Sequence, residues 1–345
     1  MKRIVICGVQ TLFVKGGAEV LVDTLRQQLE SRGLTVDAVN LPYKDVPRGE
    51  ILKGFMAWRV MNLLEMHGNK IDMVIGTKFP SYAVNHPNKV VWLVHQYRQA
   101  YELYGTPYSD MHTRVDGRVF SQFVRWMDTS SLKSAQKVFT ISGNVSARLL
   151  KYNKIKSEPL YHPPMLHQCL RNDGYGNYLL AVSRMEPIKR VDLILKAMSY
   201  STSGCRCVIV GDGLQFAELK ALASKLGLDG RVTFAGHVSD QELIELYAGC
   251  MGVIYPPYDE DYGYVTIEAF LSKKPMITTD DSGGILEFVK HEVTGYVSPP
   301  DPKALGSYID ELYCDKNACS VLGEAGYELV KDISWNTALD RLLET

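Results

Sequence analysis

The sequence lacks the features that would place it at once among membrane-spanning, nucleic-acid-binding or disulfide-stabilised proteins. None of its apolar runs reaches the roughly 18 to 20 residues that a bilayer-spanning helix needs. The formal net charge of the 345 residues is -1, which provides no electrostatic attraction for nucleic acid. The seven cysteines are odd in number and scattered, so we expect a reducing compartment rather than a disulfide framework.

Two kinds of ligand motif are also missing. The chain has no complete G-x-G-x-x-G pattern, which weakens a dehydrogenase interpretation. Its eight histidines show no metal-ligand spacing, and the adjacent acidic residues 259–261 need not converge on one cation. The first residues, MKRIVICGVQTLF, lack a signal-peptide cleavage site. We therefore predict a metal-independent protein of the cytoplasm.

What the sequence does contain is a regular alternation of strand-like and helix-like segments. The first half has the strand candidates RIVICGV, TVDAVNL, DMVIGT, KVVWLVH and KVFTIS. The second half has NYLLAVSR, RCVIVGDG, RVTFAGH, CMGVIYPPY, KPMITTD and GYVSPP. One helical segment between them, SDQELIELYAG, opens with a capping box of Ser239 and Glu242. This alternation predicts an α/β fold with two parallel sheets, each covered by helices.

The two halves are separated by a stretch with paired prolines and several turn-forming residues. We assign residues 1–164 to an N-terminal domain, 165–177 to a linker and 178–333 to a C-terminal domain. In open parallel sheets, ligands bind at the loops that follow the carboxyl ends of the strands. Candidate site residues are therefore taken from those loops.

The loop after the first strand contains a glycine pair. Gly16 and Gly17, in KGGAE, would let a phosphate approach the backbone at the start of a helix. A tight strand-to-helix turn explains the same two glycines equally well.

The loop after the fourth strand is rich in aromatic residues. It reads HQYRQAYELYGTPY, and His95 stands at the strand end, where its side chain would project from the edge of the sheet. Aromatic faces with polar tips suit sugar rings, so Tyr97, Arg98 and Tyr101 are candidates for an acceptor-facing or sugar-facing surface. Packing within the protein is the open alternative for each of them.

The first loop of the C-terminal domain carries two cations. Arg184 and Lys189, in VSRMEPIKRVD, follow a strand and would together neutralise a diphosphate. A solvated loop is the alternative.

The stretch EDYGYVTIEAF places Glu260 in a loop and Glu268 inside an apolar helix start. A carboxylate near a domain interior needs a partner, which is either protein or ligand, because its desolvation alone is costly. The amides at the start of that helix would add donors for an anion.

Together and in this order, the motifs resemble glycosyltransferase family 4, whose members are retaining enzymes. Their GT-B fold has two Rossmann-like domains facing each other across a cleft. The resemblance spans nearly the whole chain and is carried by KGGAE, the His95 strand end, VSRMEPIKRVD, VGDG, RVTFAGHVSD, EDYGYVTIEAF, TDDSGGILEFV and VTGYV. The most specific element is the pair Glu260 and Glu268, separated by seven residues. In this fold the last helix returns to the first domain, which implies that residues 334–345 complete the N-terminal domain.

The resemblance implies a role for each matched residue. Arg184 and Lys189 would bind the donor diphosphate, and Glu268 would accept hydrogen bonds from the ribose hydroxyls. Glu260 and His95 would contact the transferred sugar. Further donor contacts are expected from Gly16, Gly17, Val238, Gly263, Tyr264 and Val265.

The implied activity is the transfer of a hexose-type sugar from a UDP- or GDP-sugar to a hydroxyl acceptor with retained anomeric configuration. The acceptor would be a glycan or a lipid-linked saccharide in cell-surface polysaccharide or glycoconjugate synthesis, and no cofactor is required. The alternatives are a GT-B nucleotide-sugar epimerase, a synthase that uses a sugar phosphate as acceptor, and a non-catalytic nucleotide-sugar-binding protein. Residues 50–68 would either cover the sheet as a core helix or lie on the inner face of a membrane.

Overall fold

Two six-stranded sheets, in which every strand pairs in parallel with its neighbours, organise the part of the chain that the structure describes. The structure is a computed structural model and describes residues 2–13 and 16–344. Its strands are β1 (Arg3–Gln10), β2 (Thr35–Pro42), β3 (Glu65–Met66), β4 (Asn69–Lys70), β5 (Met73–Gly76), β6 (Lys89–Leu93), β7 (Lys137–Thr140), β8 (Glu158–Pro159), β9 (Tyr178–Val182), β10 (Arg206–Val210), β11 (Val232–Gly236), β12 (Gly252–Ile254), β13 (Met276–Thr279) and β14 (Gly295–Ser298).

Helices connect most of these strands. They are α1 (Gly17–Ser31), α2 (Gly49–Val60), α3 (Gly117–Lys133), α4 (Gly143–Asn153), α5 (Val191–Tyr200), α6 (Phe216–Lys225), α7 (Asp240–Gly249), α8 (Tyr264–Leu271), α9 (Pro302–Cys314), α10 (Lys316–Val330) and α11 (Trp335–Leu343). Single turns of 3-10 helix occur at Ser81–Ala83, Arg98–Ala100, Met111–Thr113, Pro187–Lys189 and Gly284–Glu287.

Local sequence explains why these helices form where they do. In α1, Leu21, Leu25 and Leu29 recur every four residues and are fully buried, as expected of an amphipathic helix that covers a sheet. At the start of α7, Ser239 accepts a hydrogen bond from the amide of Glu242, whose carboxylate accepts one from the amide of Ser239. The predicted capping box is therefore present.

The strand order in each sheet is that of a doubly wound fold. The first sheet has the order β2-β1-β5-β6-β7-β8, and the second has β11-β10-β9-β12-β13-β14. The order reverses between β1 and β5 in the first sheet and between β9 and β12 in the second. Ligands of such sheets bind outside the carboxyl ends of the strands at this reversal. The predicted fold class, two Rossmann-like parallel-sheet domains, is confirmed.

The chain divides into two compact units. The first unit comprises Met1–Met165 with Ser334–Thr345, and the second comprises Leu166–Ile333. The segment 165–177, which the sequence predicts to be a linker, belongs to the second unit from Leu166 onward. The amide of Gly176 donates to Gly249 O at 3.1 Å, and the hydroxyl of Tyr175 donates to Lys273 O at 3.1 Å.

The last helix packs within the first unit. Ser334 caps α11 by accepting a hydrogen bond from the amide of Thr337 at 3.2 Å. The ring of Trp335 lies 6.0 Å from the ring of Trp92 in β6 and 5.6 Å from that of His162. The helix thus adds one aromatic side chain, that of Trp335, to the first sheet's core.

Three short strands have no counterpart among the predicted ones. They are β3 and β4, which form an antiparallel hairpin, and β8 at the edge of the first sheet. Each has two residues, which is too short for a periodic pattern to predict. In the segment 50–68, helix α2 buries Ile51 and Trp58 and then ends at Val60. Among the residues that the structure describes, no helix is long and apolar enough to cross a membrane.

Candidate functional site

Two loops meet at the strand-order reversal of the second sheet. One follows β9 and contains Arg184 and Lys189, and the other follows β12 and runs from Tyr255 to Gly263. Because β9 and β12 are parallel neighbours, both loops leave the same edge of the sheet. Topology therefore brings together residues that lie far apart in the sequence.

A cluster of three side chains forms where these loops meet. The ammonium of Lys189 pairs with Glu260 at 2.5 Å and donates to the hydroxyl of Tyr255 at 3.0 Å. The Tyr255 hydroxyl in turn donates to Glu260 at 3.0 Å. The side chains of Lys189 and Glu260 are only 13% and 15% exposed. The cluster is thus a largely desolvated ion pair with a phenol bridging its two ends.

The pKa values of this cluster follow from burial and from mutual attraction. Burial alone would lower the pKa of Lys189, but the Glu260 carboxylate and the Tyr255 hydroxyl raise it above its usual range. Burial, followed by the charge of Glu260, raises the pKa of Tyr255. Lys189 therefore stays cationic and Tyr255 stays neutral across the physiological pH range.

Arg190, the residue after Lys189, fixes the position of this loop. It is buried and has a left-handed backbone with φ of 52°. Its guanidinium donates to Pro256 O, Pro257 O and Thr279 Oγ1 at 2.7 to 2.8 Å, and binds both carboxylate oxygens of Asp281. One side chain thus ties the Lys189 loop to the loops that follow β12 and β13.

The loop that carries Glu260 is also joined to the loop after β13 through the backbone. The amide of Glu260 donates to Ser282 O at 3.1 Å, and Glu260 O accepts from the amide of Gly284 at 2.7 Å. Gly283 has a φ of 66°, and a Cβ on it would lie 2.6 Å from a carboxylate oxygen of Asp259. The pair Gly283 and Gly284 therefore allows the two loops to approach each other.

Glu268 lies in α8, a little more than one turn after the N-cap Gly263. Its carboxylate accepts a hydrogen bond from the hydroxyl of Tyr247 in α7 at 2.8 Å. Burial raises the pKa of Glu268, and this hydrogen bond opposes the rise. Tyr264 stands four residues before Glu268, on the same face of the helix. The first turn of α8 has no side-chain cap at Gly263, whose φ is 79°.

Two further residues of the predicted donor site lie near these helices. Val265 is the second residue of α8 and is half-buried. Val238 is half-buried between the end of β11 and Ser239, the N-cap of α7. It therefore precedes the helix that carries Tyr247.

Arg184 stands apart from the cluster. Its side chain is 47% exposed and pairs with Glu186 at 2.8 Å, whereas Lys189 pairs with Glu260. The two cations predicted to bind a diphosphate together thus have separate protein partners in this structure.

The sequence GDG has a packing role beside Arg184. A Cβ on Gly211 would lie 2.0 Å from Ser183 O, and one on Gly213 would lie 2.7 Å from the backbone of Met185. The amide of Met185 donates to Asp212 O at 2.8 Å. These glycines let the loops after β9 and β10 pack backbone against backbone.

In the first unit, the predicted glycine pair begins a helix. Lys15 lies outside the described residues. Gly16 is the N-cap of α1 and its amide donates to the carboxylate of Glu19 at 2.9 Å, while Gly17 is the first residue of the helix. The reversal of the first sheet lies between β1 and β5, so this loop follows one of the two strands that flank it.

His95 follows β6, one strand beyond that reversal. It is half-buried, and its Nδ1 donates to Gln96 O at 2.6 Å. The side-chain amide of Gln96 donates to Asn153 Oδ1 at 2.8 Å. Interactions within the first unit therefore hold the backbone on the carboxyl side of His95.

The aromatic residues after His95 are more buried than expected. Tyr101 is 1% exposed, and its hydroxyl donates to the buried carboxylate of Asp128 at 2.8 Å. Tyr97 is 8% exposed, and Arg98 pairs with Glu102. This corrects the prediction of an acceptor-facing surface for Tyr101, because its ring and its hydroxyl both belong to the core.

Sequence reasoning overlooked four residues around the candidate site. Tyr255 could have been predicted, since it directly follows β12, at the edge of the sheet where ligands bind. Tyr247 and the pair Arg190 and Asp281 gave no local signal, because their partners lie 21 and 91 residues away. In the described part of the chain, no group of three or more His, Cys, Asp and Glu residues is placed to hold a metal ion.

Comparison with known proteins agrees with the motifs and the fold. Residues 166–329, nearly all of the second unit, match the family model described as "Glycosyl transferases group 1". The human alpha-1,3/1,6-mannosyltransferase ALG2 is 29% identical over 170 residues, which cover 45% of this chain and 41% of the relative. The O-antigen chain mannosyltransferase RfbU of Salmonella typhimurium is 28% identical over 205 residues, which cover 57% of this chain and 56% of the relative. The matches thus span about half the length of these relatives.

A solved structure supports the fold over the whole chain. HepE from Anabaena, in complex with UDP and glucose, aligns with a TM-score of 0.70 at 16% sequence identity. The alignment covers 100% of this chain and 99% of that chain. The GT-B fold and the resemblance to GT-B glycosyltransferases are therefore confirmed.

Proposed function

We propose that this protein is a retaining glycosyltransferase that moves a hexose from a nucleotide diphosphate sugar to a hydroxyl acceptor. The observation that carries the proposal is the cluster of Lys189, Tyr255 and Glu260 at the strand-order reversal of the second sheet. This cluster holds a cation for a phosphate and a carboxylate for sugar hydroxyls. Helix α8 begins in the same loop and carries Glu268 for a ribose.

The diphosphate would be recognised by charge. Lys189 is held as a cation, and a phosphate oxygen would share its ammonium with Glu260. Arg184 is half exposed on the neighbouring loop, so its guanidinium would exchange Glu186 for the second phosphate. The positive end of the α8 dipole would favour the same anion. These charges act without a metal ion, so we expect turnover to persist in the presence of EDTA.

The carboxylates of Glu268 and Glu260 would accept hydrogen bonds from hydroxyl groups of the donor. Glu268 would accept from the ribose hydroxyls while keeping its hydrogen bond from Tyr247, because a carboxylate has about four acceptor positions. Glu260 would accept from hydroxyls of the transferred sugar in the same way. Both carboxylates are held by protein donors, so they would not need to reorganise when the donor binds.

We propose the following chemical step for this arrangement. The bond between the anomeric carbon and the diphosphate oxygen breaks, and its electron pair stays on that oxygen. Lys189 and Arg184 would stabilise the charge that develops there. The acceptor oxygen forms the new bond to the anomeric carbon on the face that the diphosphate leaves. The acceptor's proton passes to a phosphate oxygen of the leaving group, so no protein nucleophile is required.

The residues of the first unit remain predictions for the same reaction. We propose His95 as a contact of the transferred sugar and the backbone at Gly16 and Gly17 as a contact of the donor phosphates. A His95→Ala variant tests the first role, since it should lower turnover more than it lowers donor binding.

For the donor sugar, we propose to test mannose first, because both relatives described above are named mannosyltransferases. For the base, UDP and GDP both remain candidates, and the UDP complex of HepE supports including UDP. A glycan or lipid-linked saccharide is the proposed acceptor, and the cytoplasm is the proposed location.

A thermal-shift panel with UDP, GDP, ADP and their sugar conjugates tests the donor site. A ligand that binds only the folded protein adds about 2.7 kcal/mol to its stability at a hundredfold excess over Kd. We expect one base to shift the transition, and Glu268→Gln to reduce that shift. If no nucleotide shifts the transition at millimolar concentration, the donor site is refuted.

Product analysis separates this function from the alternatives. A new glycoside with the anomeric configuration of the donor supports the proposal. A free epimer of the sugar would identify an epimerase, and strict dependence on a sugar phosphate would identify a synthase. Nucleotide binding with neither transfer nor epimerisation would identify a binding protein.

A further inference from the structure

Helix α3 of the first unit exposes a stripe of large apolar side chains. Val119, Phe123 and Trp126 follow one another at intervals of four and three residues, so they lie on one face of the helix. They are 70%, 43% and 66% exposed, and the rings of Phe123 and Trp126 stack at 5.8 Å. Exposed apolar residues that are contiguous mark interaction sites more often than scattered ones do.

The opposite face of α3 is firmly packed. Val124, Met127 and Leu132 are buried, and Ser121 donates a hydrogen bond to Ala100 O at 2.8 Å. The helix therefore does not need the stripe for its own packing. The stripe is the outward face of a helix whose inward face already covers the core, and we call these three residues the α3 stripe.

The charged side chains that α3 exposes to solvent have one sign. Asp128, the one acidic residue of the helix, is fully buried and accepts hydrogen bonds from two tyrosines. Arg125 turns inward and lies 4.9 Å from the ring of Tyr152. Arg118 and Lys133 are exposed. The charge that the helix itself presents to solvent is therefore entirely cationic.

The charges that precede the helix do not reverse this sign. Asp116, the residue before α3, pairs with Arg48 at 2.7 Å. Arg114 pairs with Asp110. Each acidic side chain here has a cationic partner, so the two pairs add no net negative charge to the surface next to the α3 stripe.

We propose that the α3 stripe docks on the surface of a bilayer that contains anionic lipid. Tryptophan and phenylalanine insert at the boundary between headgroups and acyl chains, and flanking cations pair with anionic headgroups. Residues 50–68, the segment with a membrane alternative in the sequence, do not fit as well. Met56 and Val60 of that segment are exposed, but its aromatic residues Phe55 and Trp58 are buried in the protein, so it offers no exposed aromatic ring to the lipid.

The charge of the surface favours lipid over a second copy of this chain. A symmetric dimer would bring the same patch of both copies together, and would place Arg118 and Lys133 of one copy near those of the other. Like charges at such an interface oppose association. An anionic lipid surface matches both the apolar stripe and its cationic flanks. This inference does not depend on the proposed enzymatic activity.

The distribution of tryptophans provides a specific probe. Trp58, Trp92 and Trp335 are at most 5% exposed, whereas Trp126 is 66% exposed. Trp126 therefore provides most of the fluorescence that comes from water-exposed tryptophan in this protein. We expect a blue shift when the full-length protein is mixed with vesicles of phosphatidylcholine and phosphatidylglycerol in equal parts. Vesicles of phosphatidylcholine alone should cause a much smaller shift.

Vesicle flotation with matched variants then tests the residues. Phe123→Ser/Trp126→Ser should abolish flotation, while Val321→Ser/Leu329→Ser should leave it unchanged, because those two residues are exposed on α10 of the second unit. Arg118→Gln and Lys133→Gln should each weaken the partition on the order of fivefold at low salt. All four substituted apolar residues are partly or fully exposed, so we expect normal thermal unfolding of both double variants.

Three outcomes would overturn the proposal. The first is the absence of flotation and of a blue shift with anionic vesicles at low ionic strength. The second is flotation that persists in Phe123→Ser/Trp126→Ser. The third is a dimer in solution, measured by light scattering, that this variant converts to a monomer, since the stripe would then be covered by a second copy.

Discussion

Lys189 and Glu260 lie 71 residues apart in the chain, yet they form one ion pair that is largely hidden from water. In such surroundings each charge depends on the other, because removal of one leaves its partner desolvated and uncompensated. Tyr255 contacts both and keeps their spacing. At the scale of single residues, the candidate site is therefore preorganised by contacts between its own functional groups.

Glu260→Gln should lower turnover on the order of a hundredfold to a thousandfold, the range observed for loss of one preorganised polar contact in a transition state. It should also lower the melting temperature, because Lys189 loses its charged partner. Steady-state kinetics with the donor found in the nucleotide panel checks the first expectation. Asp192→Asn is the control, since this carboxylate forms an exposed pair with Lys196 and should leave turnover unchanged. Unchanged turnover in Glu260→Gln would refute the assigned role.

Asp128 should make the stability of the protein depend on pH. Burial raises the pKa of its carboxyl from 3.8 to about 7, against the hydrogen bonds from Tyr101 and Tyr82. The folded state thus holds this proton more tightly than the unfolded state does. The resulting stability is present below pH 4 and is lost as the pH rises towards 7, by at most about 4 kcal/mol.

Asp128→Asn removes this dependence. Between pH 4 and pH 7.5, the free energy of unfolding of the variant should rise relative to that of the unsubstituted protein, and urea titrations at both pH values measure the change. Asp310 provides a control of opposite sign. Burial would raise its pKa, but hydrogen bonds from Ser201, Ser203 and Thr202 lower it below the ordinary value. Asp310→Asn should therefore cost stability at pH 7.5 and less at pH 4. If the free energy of unfolding changed with pH in the same direction in both variants, this account would be contradicted.

At the scale of elements, three loops behave as one unit. The loops after β9, β12 and β13 are joined by the guanidinium of Arg190 and by backbone hydrogen bonds between Glu260 and residues 282–284. The position of Glu260 therefore depends on residues of all three loops. Two substitutions probe this dependence.

Gly283→Ala should disturb the pairing of these loops. Its Cβ would lie 2.6 Å from Asp259 Oδ1 and 2.7 Å from the backbone nitrogen of Glu260. Gly227→Ala is the control, because Gly227 has a similar φ of 70° and no atom within 4 Å of the added Cβ. We expect about 1 kcal/mol of destabilisation for the control and about 1 to 3 kcal/mol more for Gly283→Ala, measured by thermal unfolding. Equal destabilisation by the two substitutions would show that the loops leave room for a Cβ at Gly283.

Arg190→Lys keeps the charge but loses the planar fork. A lysine cannot bind Asp281 at two points and reach the carbonyls of Pro256 and Pro257 as well, so we expect a loss of about 2 kcal/mol in stability. The nucleotide-induced thermal shift should fall too. Arg206→Lys, at an exposed position in β10, is the matched control. If both variants melt alike, Arg190 does not hold the loops.

At the scale of the whole molecule, the chain contributes its last residues to the first unit. Ser334–Thr345 join Met1–Met165 in one compact unit, although the second unit stands between them in the sequence. Trp335 is the largest buried side chain of α11, since it is 5% exposed, and its ring packs on Trp92. The stability of the first unit should therefore depend on both ends of the chain.

Trp335→Ala should destabilise the first unit by about 3 to 5 kcal/mol, the usual cost of removing a buried aromatic side chain. Hydrogen exchange locates the effect. The amides of β6 and β7 should lose protection, while those of β9 and β10 should keep it. Equal loss in both sheets, or none in the first, would contradict the packing of α11 within the first unit.

Much of the fold could be predicted because it is encoded locally. Eleven strand candidates correspond to strands of the two sheets, since buried parallel strands are short apolar runs between turn residues. The capping box of Ser239 and Glu242 could be predicted for the same reason. The hairpin of β3 and β4 and the edge strand β8 could not be predicted, because two residues carry no period.

The candidate site was predictable only in part. Glu260, Glu268 and Lys189 were found because they follow strands or stand near a helix start, where ligands of open sheets bind. The partner that each of these side chains binds within the protein could not be predicted from the sequence. Arg184 pairs with Glu186 rather than standing beside Lys189, and the hydroxyl of Tyr101 is committed to the core.

The sequence by itself determined the class of fold, the places where loops leave the sheets and most of the side chains available there, because each depends on neighbouring residues. The tertiary structure alone decided which side chains meet. Strand order brings β9 beside β12, and this adjacency makes Lys189, Tyr255 and Glu260 one cluster and Arg190 its anchor. Packing also decided that α3 turns its apolar stripe outward, since the opposite face of the helix is occupied by the core.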